Sequence, residues 1–493
     1  MNGLFPEKLI FFDNIRDDAL VRKAVRLCRA CDGIGAAPFD GALREDYYEV
    51  QRALMSEYGN AAAAPGFAGQ EVVQGFAGQA AGGASAPGPT GAAEAAPDSE
   101  GQETAPGGPA AAHTFWQHHV CRLIAESENA FSLAAEKGAS ALARFGGLVE
   151  REAGVLKAIY GIGWGKMAAS ADDGAFCVAA MELSPGGAAS RQDGTPGATP
   201  RSRAAAPGRR SLESKREAVH RAMLRHSDRD SAEMLEKYYR DEGGGLFERY
   251  DAFYWDGRLV GVESPDPITF DDLIGYGIQK GRIIENVKFF TEGRLGLNML
   301  LYGDRGTGKS SSVKALLNMF APRKLRLVSV PKEEIAAIPA IMEALAARGL
   351  RFIIFIDDLS FEENETGYKS FKSALEGGVR PQPENVLVCV TSNRRNIIKE
   401  VWRDREGGED IHINDSLQEK RSLADRFGLT VVFSSPDKYE YLDIVKGIAE
   451  REGLNADIAE LESEAMKWEI RQNGRSGRGA RQFINWFSRG KNI

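Results

Sequence analysis

The sequence predicts an α/β fold in which helices cover both faces of a parallel five-stranded sheet. Two observations carry this prediction. Short apolar segments alternate with amphipathic helical segments between residues 297 and 433, and this alternation is typical of parallel strands joined by crossover helices. The first apolar segment also runs directly into the glycine-rich sequence GDRGTGKS at residues 303–310. The five predicted strands are residues 297–302, 325–330, 352–356, 386–390 and 429–433.

The sequence GDRGTGKS fits G-x-x-x-x-G-K-[ST], the pattern of a phosphate-binding loop, or P-loop. Its glycines let the backbone curl around a phosphate, and the amphipathic helix that follows directs its positive end at the same place. In this pattern Lys309 contacts the β- and γ-phosphates of ATP, and the Ser310 hydroxyl is placed to bind Mg²⁺. An accidental glycine-rich turn is the alternative interpretation. The residues predicted to bind the nucleotide are Gly303, Asp304, Arg305, Gly306, Thr307, Gly308, Lys309, Ser310 and Ser311.

Two carboxylates follow the third predicted strand. Ligands of parallel sheets bind at the carboxyl ends of the strands, so these carboxylates should lie near the P-loop. Asp357 is predicted to hold the Mg²⁺ shell, and Asp358 is predicted to orient or deprotonate the attacking water. Asp358 stands where many P-loop ATPases have the longer Glu, so Glu362 or Glu363 could substitute for it. A solvated acidic turn is the structural alternative.

The fourth predicted strand runs into the sequence TSN, where a polar side chain would lie between the attacking water and the γ-phosphate. Asn393 is the candidate for this sensor position, and Thr391 is the second candidate. Arg394 and Arg395 follow at once. Adjacent arginines are usually a solvated pair, but beside a nucleotide they could contact a phosphate or a partner.

Two further arginines are predicted to act at the γ-phosphate. Arg426, in the sequence ADRFG, could enter a neighbouring subunit's site as an arginine finger, with Arg421 as the alternative. A structural role at a helix C-terminus is the other interpretation of Arg426. Arg478, just before the last predicted helix, could reach the nucleotide from a small helical lid. Arg481 is the weaker candidate for that role, and a plain basic helix start is the structural alternative.

Composition and charge limit the classes of function. With 27% charged and 43% hydrophobic residues, the 493-residue chain suits soluble globular domains, and its net charge of −8 argues against a broadly basic surface that coats nucleic acid. No apolar run reaches the length of a membrane span or of a signal peptide, so we expect a cytoplasmic protein. The C-x-x-C pair at Cys28 and Cys31 has neither the further ligands of a zinc site nor a thioredoxin-like context.

The amino-terminal half has a different composition. Two tracts rich in Ala, Gly, Pro or Ser cannot bury enough side chain to offset chain entropy, so we expect them to be disordered. Alternating aromatic and apolar positions around Asp256 and Gly257 predict a hairpin. The predicted organisation is a helical segment at 1–60, a disordered insertion at 61–112, a helical region at 113–268 with a flexible tract at 186–210 and a hairpin near 247–261, an α/β nucleotide-binding domain at 269–435 and a helical lid at 436–493.

The P-loop, the Asp-Asp pair, TSN, ADRFG and the lid sequence GRGAR together resemble the AAA+ ATPases. More closely, GLNMLLYGDRGTGKSSSVKALLN, FIDDLSFEENETGYKSFKSALEGG and TSNRRNIIKE resemble the bacterial family catalogued as domain of unknown function 815. The resemblance covers about residues 269–487. It implies an AAA+ fold with a small C-terminal helical lid, and it implies ATP and Mg²⁺, but it supplies no cellular role.

Three classes of function remain open. The first is an AAA+ ATPase that hydrolyses Mg-ATP as a homo-oligomer and remodels or loads an unidentified protein or nucleic-acid partner. The second is a switch that binds ATP and hydrolyses it slowly or not at all, and the shorter Asp358 keeps this class open. The third is a small-molecule kinase, which would need an acceptor pocket but neither Asn393 nor an oligomer. Release of phosphate without an acceptor would separate the first class from the third.

Overall fold

The computed structural model describes residues 8–34, 41–62, 109–138, 140–164, 167, 212–360, 371, 375, 381–393, 426–472 and 474–490. The chain divides into two compact units. The first comprises residues 1–127, 145–197 and 216–235, and the second comprises residues 128–144, 198–215 and 236–493. Residues 63–108 and 186–210 of the two tracts predicted to be disordered lie outside the described residues, whereas the ends of the first tract, 61–62 and 109–112, are helical.

Helices form all the regular structure of the described part of the first unit, which agrees with the helical amino-terminal region that the sequence predicts. In chain order, the α-helices of the whole described chain are α1 (Asp13–Asp17), α2 (Ala19–Ile34), α3 (Gly41–Ala62), α4 (Pro109–Ala125), α5 (Ala130–Glu136), α6 (Ala141–Tyr160), α7 (Leu212–Met223), α8 (Asp228–Glu242), α9 (Leu246–Arg249), α10 (Gly277–Thr291), α11 (Lys309–Phe320), α12 (Ile338–Ala346), α13 (Lys438–Arg451), α14 (Ile458–Gln472) and α15 (Gly477–Gly490). No helix within the described ranges is both long and apolar enough to cross a membrane.

Aromatic side chains and one carboxylate organise the core of the first unit. Trp116 and Trp164 pack edge to face, and the indole N–H of Trp116 donates to the Ile159 carbonyl over 2.8 Å. The carboxylate of Glu152 is buried and accepts backbone N–H groups from the segment before α1, including that of Ile10 at 3.0 Å. These N–H groups satisfy a carboxylate that would otherwise be costly to bury.

A seven-stranded sheet forms the centre of the second unit. Its strands are β1 (Ala252–Trp255), β2 (Leu259–Gly261), β3 (Met299–Gly303), β4 (Leu325–Ser329), β5 (Arg351–Ile356), β6 (Val386–Ser392) and β7 (Leu429–Phe433). Their order across the sheet is β2-β1-β4-β5-β6-β3-β7. All neighbouring strands run parallel except β1 and β2, which pair antiparallel.

The predicted number of strands was therefore wrong, although all five predicted strands are present and parallel. The predicted hairpin is not separate from the sheet, because β1 pairs with β4 from Ala252 opposite Leu327 to Tyr254 opposite Ser329. This pairing satisfies the backbone N–H and C=O groups that β4 would otherwise present at an open edge. The hairpin itself is recognisable from the alternation of aromatic and apolar residues around the turn at Asp256 and Gly257. No local sequence pattern shows which strand of the sheet it pairs with.

Both faces of the sheet are buried, as the near-continuous apolar strands predict. On β5, Phe352 and Ile354 belong to one core cluster, whereas Ile353 and Phe355 belong to the other. Helices α10 and α11 cover the second face, and α12 covers the first with Ile338, Ile341 and Leu345 among others. The observed class is thus a three-layered α/β fold with a mixed sheet.

Helices continue after β7 where the chain is described. Helix α13 begins at an N-cap, Asp437, whose side chain accepts the backbone N–H of Glu440, while the side chain of Glu440 accepts the backbone N–H of Asp437. Helices α13, α14 and α15 enclose a core of their own, which we call the lid core. Its members include Tyr441, Leu442, Val445, Ala465, Phe483, Ile484 and Phe487.

The placement of β1 in the sheet predicts that Phe253 is a core residue of the second unit. It is buried and packs against Phe247. We expect Phe253→Ala to lower the free energy of unfolding by about 3–5 kcal/mol, since it removes a buried aromatic side chain and leaves a cavity. Urea unfolding measures this change. Tyr254→Ala is the control, because the neighbouring side chain is 44% exposed, and an equal loss in both variants would contradict the placement.

Candidate functional site

The P-loop connects β3 to α11 and depends on glycines at two close approaches. Gly303 has a φ of +136°, and a β-carbon at this position would lie 2.1 Å from the carbonyl oxygen of Phe433 on β7. Gly306 has a φ of +75°, and a β-carbon there would lie 3.0 Å from the Ser476 hydroxyl. Side chains at these positions would therefore push the loop away from β7 and from the start of α15.

Lys309 is buried at the first position of α11, where three oxygen atoms accept hydrogen bonds from its ammonium group. The group donates to the carbonyl oxygens of Gly303 at 2.9 Å and Asp304 at 2.7 Å, and to Oδ1 of Asn393 at 3.2 Å. Burial lowers the pKa of Lys309, while the nearby carboxylates of Asp358, Asp304 and Asp357 act in the opposite direction. The structure thus holds a partly desolvated cation at the P-loop, which suits a polyphosphate.

The hydroxyl of Ser310 and the carboxylate of Asp357 meet across the sheet edge. Ser310 donates to Oδ1 of Asp357 over 2.5 Å, and Thr391 at the end of β6 donates to the same oxygen over 2.5 Å. Hydroxyl and carboxylate oxygens are the ligands that Mg²⁺ prefers, usually one or two from the protein, with the remainder supplied by phosphates and water. The donor set fits Mg²⁺ in this respect. Among the described residues, no group of three His, Cys, Asp or Glu side chains could hold a metal by itself.

Asp358 and Asn393 form the second polar pair at this edge. The Asn393 amide donates to Oδ1 of Asp358, while its own oxygen accepts from Lys309. Asp358 has a φ of +49°, a left-handed conformation that is uncommon for residues other than glycine. The two residues that the sequence predicts to position water are therefore in direct contact, and a hydrogen-bonded series runs from Lys309 through Asn393 to Asp358.

A cavity of about 570 Å³ adjoins the P-loop at Gly306, Thr307 and Gly308. Apolar side chains, arginines and aspartates all contribute to its lining. The segment before α10 forms one wall of the cavity and was not predicted from the sequence to belong to the site. The lining residues are Asp266, Pro267, Ile268, Thr269, Asp271, Asp272, Leu273, Ile274, Tyr276, Lys280, Gly306, Thr307, Gly308, Ser311, Ser312, Phe433, Ile444, Ile448, Arg451, Gly477, Arg478 and Arg481.

One local signal could have drawn attention to that segment. Thr269 and Asp272 form a capping box in which the backbone N–H and the hydroxyl of Thr269 both donate to Oδ2 of Asp272, at 2.7 and 2.8 Å. The spacing T-x-x-D is visible in the sequence, and it fixes the direction of a chain segment. That this segment lies beside the P-loop depends on long-range packing, which the spacing does not show.

The two candidate lid arginines have different contacts. The backbone N–H of Arg478 donates to the Gly306 carbonyl of the P-loop over 3.1 Å, so this residue is joined directly to the loop. The guanidinium of Arg481 donates to the carbonyl of Asp272 over 3.0 Å, and the Asp272 carboxylate pairs with Arg451 over 3.0 Å. Both candidates line the cavity, and Arg478 is the one that contacts the P-loop.

The exposed residue Arg426 lies far from the P-loop of its own chain. Gly303 is paired with Phe433 at one end of β7, whereas Arg426 precedes Leu429 at the other end. Four residue steps along a strand span roughly 13 Å, which is longer than an arginine side chain. Arg426 is thus not brought together with Lys309, Asp358 and Asn393 within one subunit.

The other candidates are placed as follows. Arg305 is exposed at the tip of the P-loop, and Ser311 lines the cavity. Thr307 is buried and donates to the Asp304 carbonyl over 2.8 Å. The carboxylate of Asp304 accepts the backbone N–H of Ser435 over 2.7 Å, which lowers its pKa. The candidates Glu362, Glu363, Arg394, Arg395 and Arg421 lie outside the described residues.

Comparison with known proteins identifies one domain family. Residues 248–491 match the family model described as "Protein of unknown function (DUF815)", which confirms the resemblance that the sequence motifs predict. No curated protein matches the chain. Solved structures that are similar to it include a single-residue variant of RuvB from Thermotoga maritima at 18% identity, with 44% of this chain and 63% of that chain covered and a TM-score of 0.30. The chain thus spans less than two thirds of that protein's length.

Two further similar structures cover the same share of the chain. One is RuvB from Thermotoga maritima, titled a Holliday junction branch migration motor, at 18% identity, with 44% and 63% of the two chains covered and a TM-score of 0.31. The other is the FIGL-1 AAA domain in complex with ADP, at 18% identity, with 44% and 72% of the two chains covered and a TM-score of 0.30.

The geometry of the P-loop predicts that Gly303 cannot be replaced by alanine without loss of the site. We expect Gly303→Ala to weaken ATP binding and to lower the thermal midpoint, because the backbone strain alone costs about 1–3 kcal/mol and the new methyl group would clash with Phe433. Gly281→Ala, in the interior of α10 with open space around it, is the control and should keep or raise the midpoint. Equal ATP affinity in Gly303→Ala and the wild type would contradict this account of the loop.

Proposed function

We propose that this chain, whose residues 248–491 match the DUF815 family, is a cytoplasmic AAA+ ATPase that binds Mg-ATP and hydrolyses it in an oligomer. One observation carries the proposal. Lys309 of the P-loop, Asn393 after β6 and Asp358 after β5 are joined by hydrogen bonds at one edge of the sheet. A phosphate-binding cation and a pair of groups able to position water are therefore adjacent, and this is what transfer of a phosphoryl group to water requires.

The residues of this edge have separate tasks in the proposed reaction. Lys309 would exchange its carbonyl and amide acceptors for the β- and γ-phosphates. The amide nitrogen of Asn393 has a second hydrogen besides the one donated to Asp358 and would donate it to the attacking water or to the γ-phosphate, while Asp358 would accept the proton of the water. Positioning and charge stabilisation dominate this chemistry, so a displacement of either side chain should slow turnover more than binding.

Ser310 and Asp357 would hold Mg²⁺ in this site. When bound, Mg²⁺ would neutralise part of the charge that develops on the β- and γ-phosphate oxygens. The two protein oxygens already converge, and the Thr391 hydroxyl fixes the orientation of the Asp357 carboxylate. The orientations of the Asp357 carboxylate and of the Ser310 hydroxyl are thus set by the fold itself.

The cavity beside the P-loop supports a nucleoside rather than a second substrate. It adjoins Gly306, Thr307 and Gly308, and its apolar walls, including Ile268 and Ile444, suit a flat base. Since helices of the lid core supply one wall, a bound nucleotide would contact both the lid and the P-loop. Arg478, whose backbone N–H is bonded to the Gly306 carbonyl, would then make the position of the lid depend on the state of the phosphates.

An oligomer is part of the proposal because Arg426 lies at the end of β7 that is farther from the P-loop of its own chain. From there it could complete only a neighbour's site. The movement of the lid would be passed to an unidentified protein or nucleic-acid partner. A switch with slow hydrolysis is the second candidate, and the observation that favours it is that the short carboxylate of Asp358 is already occupied by Asn393.

Arg426→Ala tests the composite site. We expect this variant to bind ATP with nearly unchanged affinity and to release phosphate about 10³-fold more slowly, as loss of an arginine finger does. Asp358→Asn should also be inactive, although it keeps Lys309 and Arg426. In a mixture of the two variants, some sites combine the P-loop of the first with the arginine of the second. Phosphate release should therefore return when the two inactive proteins are mixed.

Arg489→Ala is the matched control, since Arg489 is an exposed arginine near the end of α15. It should hydrolyse ATP like the wild type, which would show that loss of a surface arginine does not by itself slow turnover. Wild-type turnover by Arg426→Ala would show that the oligomeric site is wrong. A mixture of Arg426→Ala and Asp358→Asn as slow as its two components would show the same.

A further inference from the structure

We propose that Thr391 is a positioning residue that fixes both carboxylates at the end of β5, an inference that rests on the proposed nucleotide chemistry. Thr391 is 1% exposed and lies on β6, where it pairs with Leu301 of β3. Its hydroxyl group contacts both Asp357 and Asp358. The sequence predicts Thr391 only as the second candidate for the sensor of the γ-phosphate, and these contacts give it a different task.

A hydroxyl group has one hydrogen to donate and lone pairs to accept, and Thr391 uses both capacities. It donates to Oδ1 of Asp357 over 2.5 Å and accepts the backbone N–H of Asp358 over 2.8 Å. Its backbone carbonyl also accepts the N–H of Leu359 over 2.8 Å. One residue of β6 therefore holds three consecutive residues after β5.

These contacts explain how the adjacent carboxylates of Asp357 and Asp358 can both face the site. In a regular strand consecutive side chains point to opposite faces, so two adjacent carboxylates could not both serve one site. The left-handed backbone of Asp358 breaks this alternation, and Asp and Asn tolerate that conformation better than longer side chains do. Asp357 then faces Ser310 while Asp358 faces Asn393. The bonds to Thr391 hold the turn that makes this arrangement possible.

Removal of the hydroxyl should affect the two carboxylates in separable ways. Without its donor, the Asp357 carboxylate can rotate away from Ser310, so Mg²⁺ should be held less well. Without its acceptor, the backbone N–H of Asp358 loses its partner, so the turn should relax and Asp358 should move from Asn393. Loss of a group that orients a metal ligand typically lowers metal affinity or activity by about 10–100-fold.

The test compares Thr391→Val, which keeps the shape and removes the hydroxyl, with Thr391→Ser, which keeps the hydroxyl. Thr391→Ala is a second hydroxyl-free variant in case the valine does not fold. Calorimetric titration with ATP, in Mg²⁺ and in EDTA, gives the gain in affinity that Mg²⁺ provides. We expect this gain, and the rate of phosphate release, to fall about 10–100-fold in the valine and alanine variants and to remain near the wild type in Thr391→Ser.

Thr430→Val is the matched control, because it makes the same change on β7, two strands away from β6. It should leave the Mg²⁺ dependence unchanged, and thermal midpoints of all variants separate loss of stability from loss of metal. Three results would overturn the proposal: an unchanged Mg²⁺ gain in Thr391→Val, equal impairment of Thr391→Ser, or an equal loss of ATP affinity with and without Mg²⁺. If the wild type releases no phosphate, the proposed hydrolysis fails, and the binding data still decide the role of Thr391.

Discussion

The position of β3 between β6 and β7 is the constraint on which the site depends. Parallel pairing in register places Tyr302 opposite Ser392 on one side and Gly303 opposite Phe433 on the other. The P-loop therefore leaves the sheet beside the end of β6, where Asn393 meets Lys309. A shift of register by one residue would bring a residue with a side chain to the place of Gly303, where a β-carbon would lie 2.1 Å from the Phe433 carbonyl oxygen. The pairing of the strands thus determines where the polar groups meet.

Desolvation explains why so many polar atoms surround Lys309. Taking an ammonium group out of water is costly unless hydrogen-bond acceptors replace the lost water, and two carbonyls and the Asn393 amide do so. A phosphate that enters the loop would offer a stronger, charged acceptor than any of these. The ammonium group is therefore satisfied by acceptors that a phosphate can replace, which is the property that a nucleotide-binding loop needs. Asp358 is held in a less common backbone conformation at the same edge, so strain is stored beside the groups that would act on water.

Much of the site could be predicted from the sequence because its signals are local. The P-loop, the carboxylates after β5 and Asn393 after β6 each follow an apolar strand, and the strand's end is readable from the sequence alone. What could not be predicted depends on distant pairing. Neither the attachment of the hairpin to β4 nor the cavity wall formed before α10 has a short-range pattern that names its neighbour. The buried ion pair of Arg348 with Glu136, 212 residues apart, is another such contact. The contacts of Thr391 were missed for a related reason, since the sequence shows a hydroxyl but not its two partners.

The central claim is that ATP is hydrolysed at a site that one chain begins and its neighbour completes. Phosphate release per subunit, measured as protein concentration is raised and with Lys309→Ala as the blank, tests it most directly. The account predicts a specific activity that rises steeply and then saturates as sites are completed between subunits. Activity no greater than the blank at every concentration, with ATP still bound to the wild type, would contradict hydrolysis and favour the switch. A constant activity above the blank down to concentrations at which the chain is monomeric would contradict the shared site.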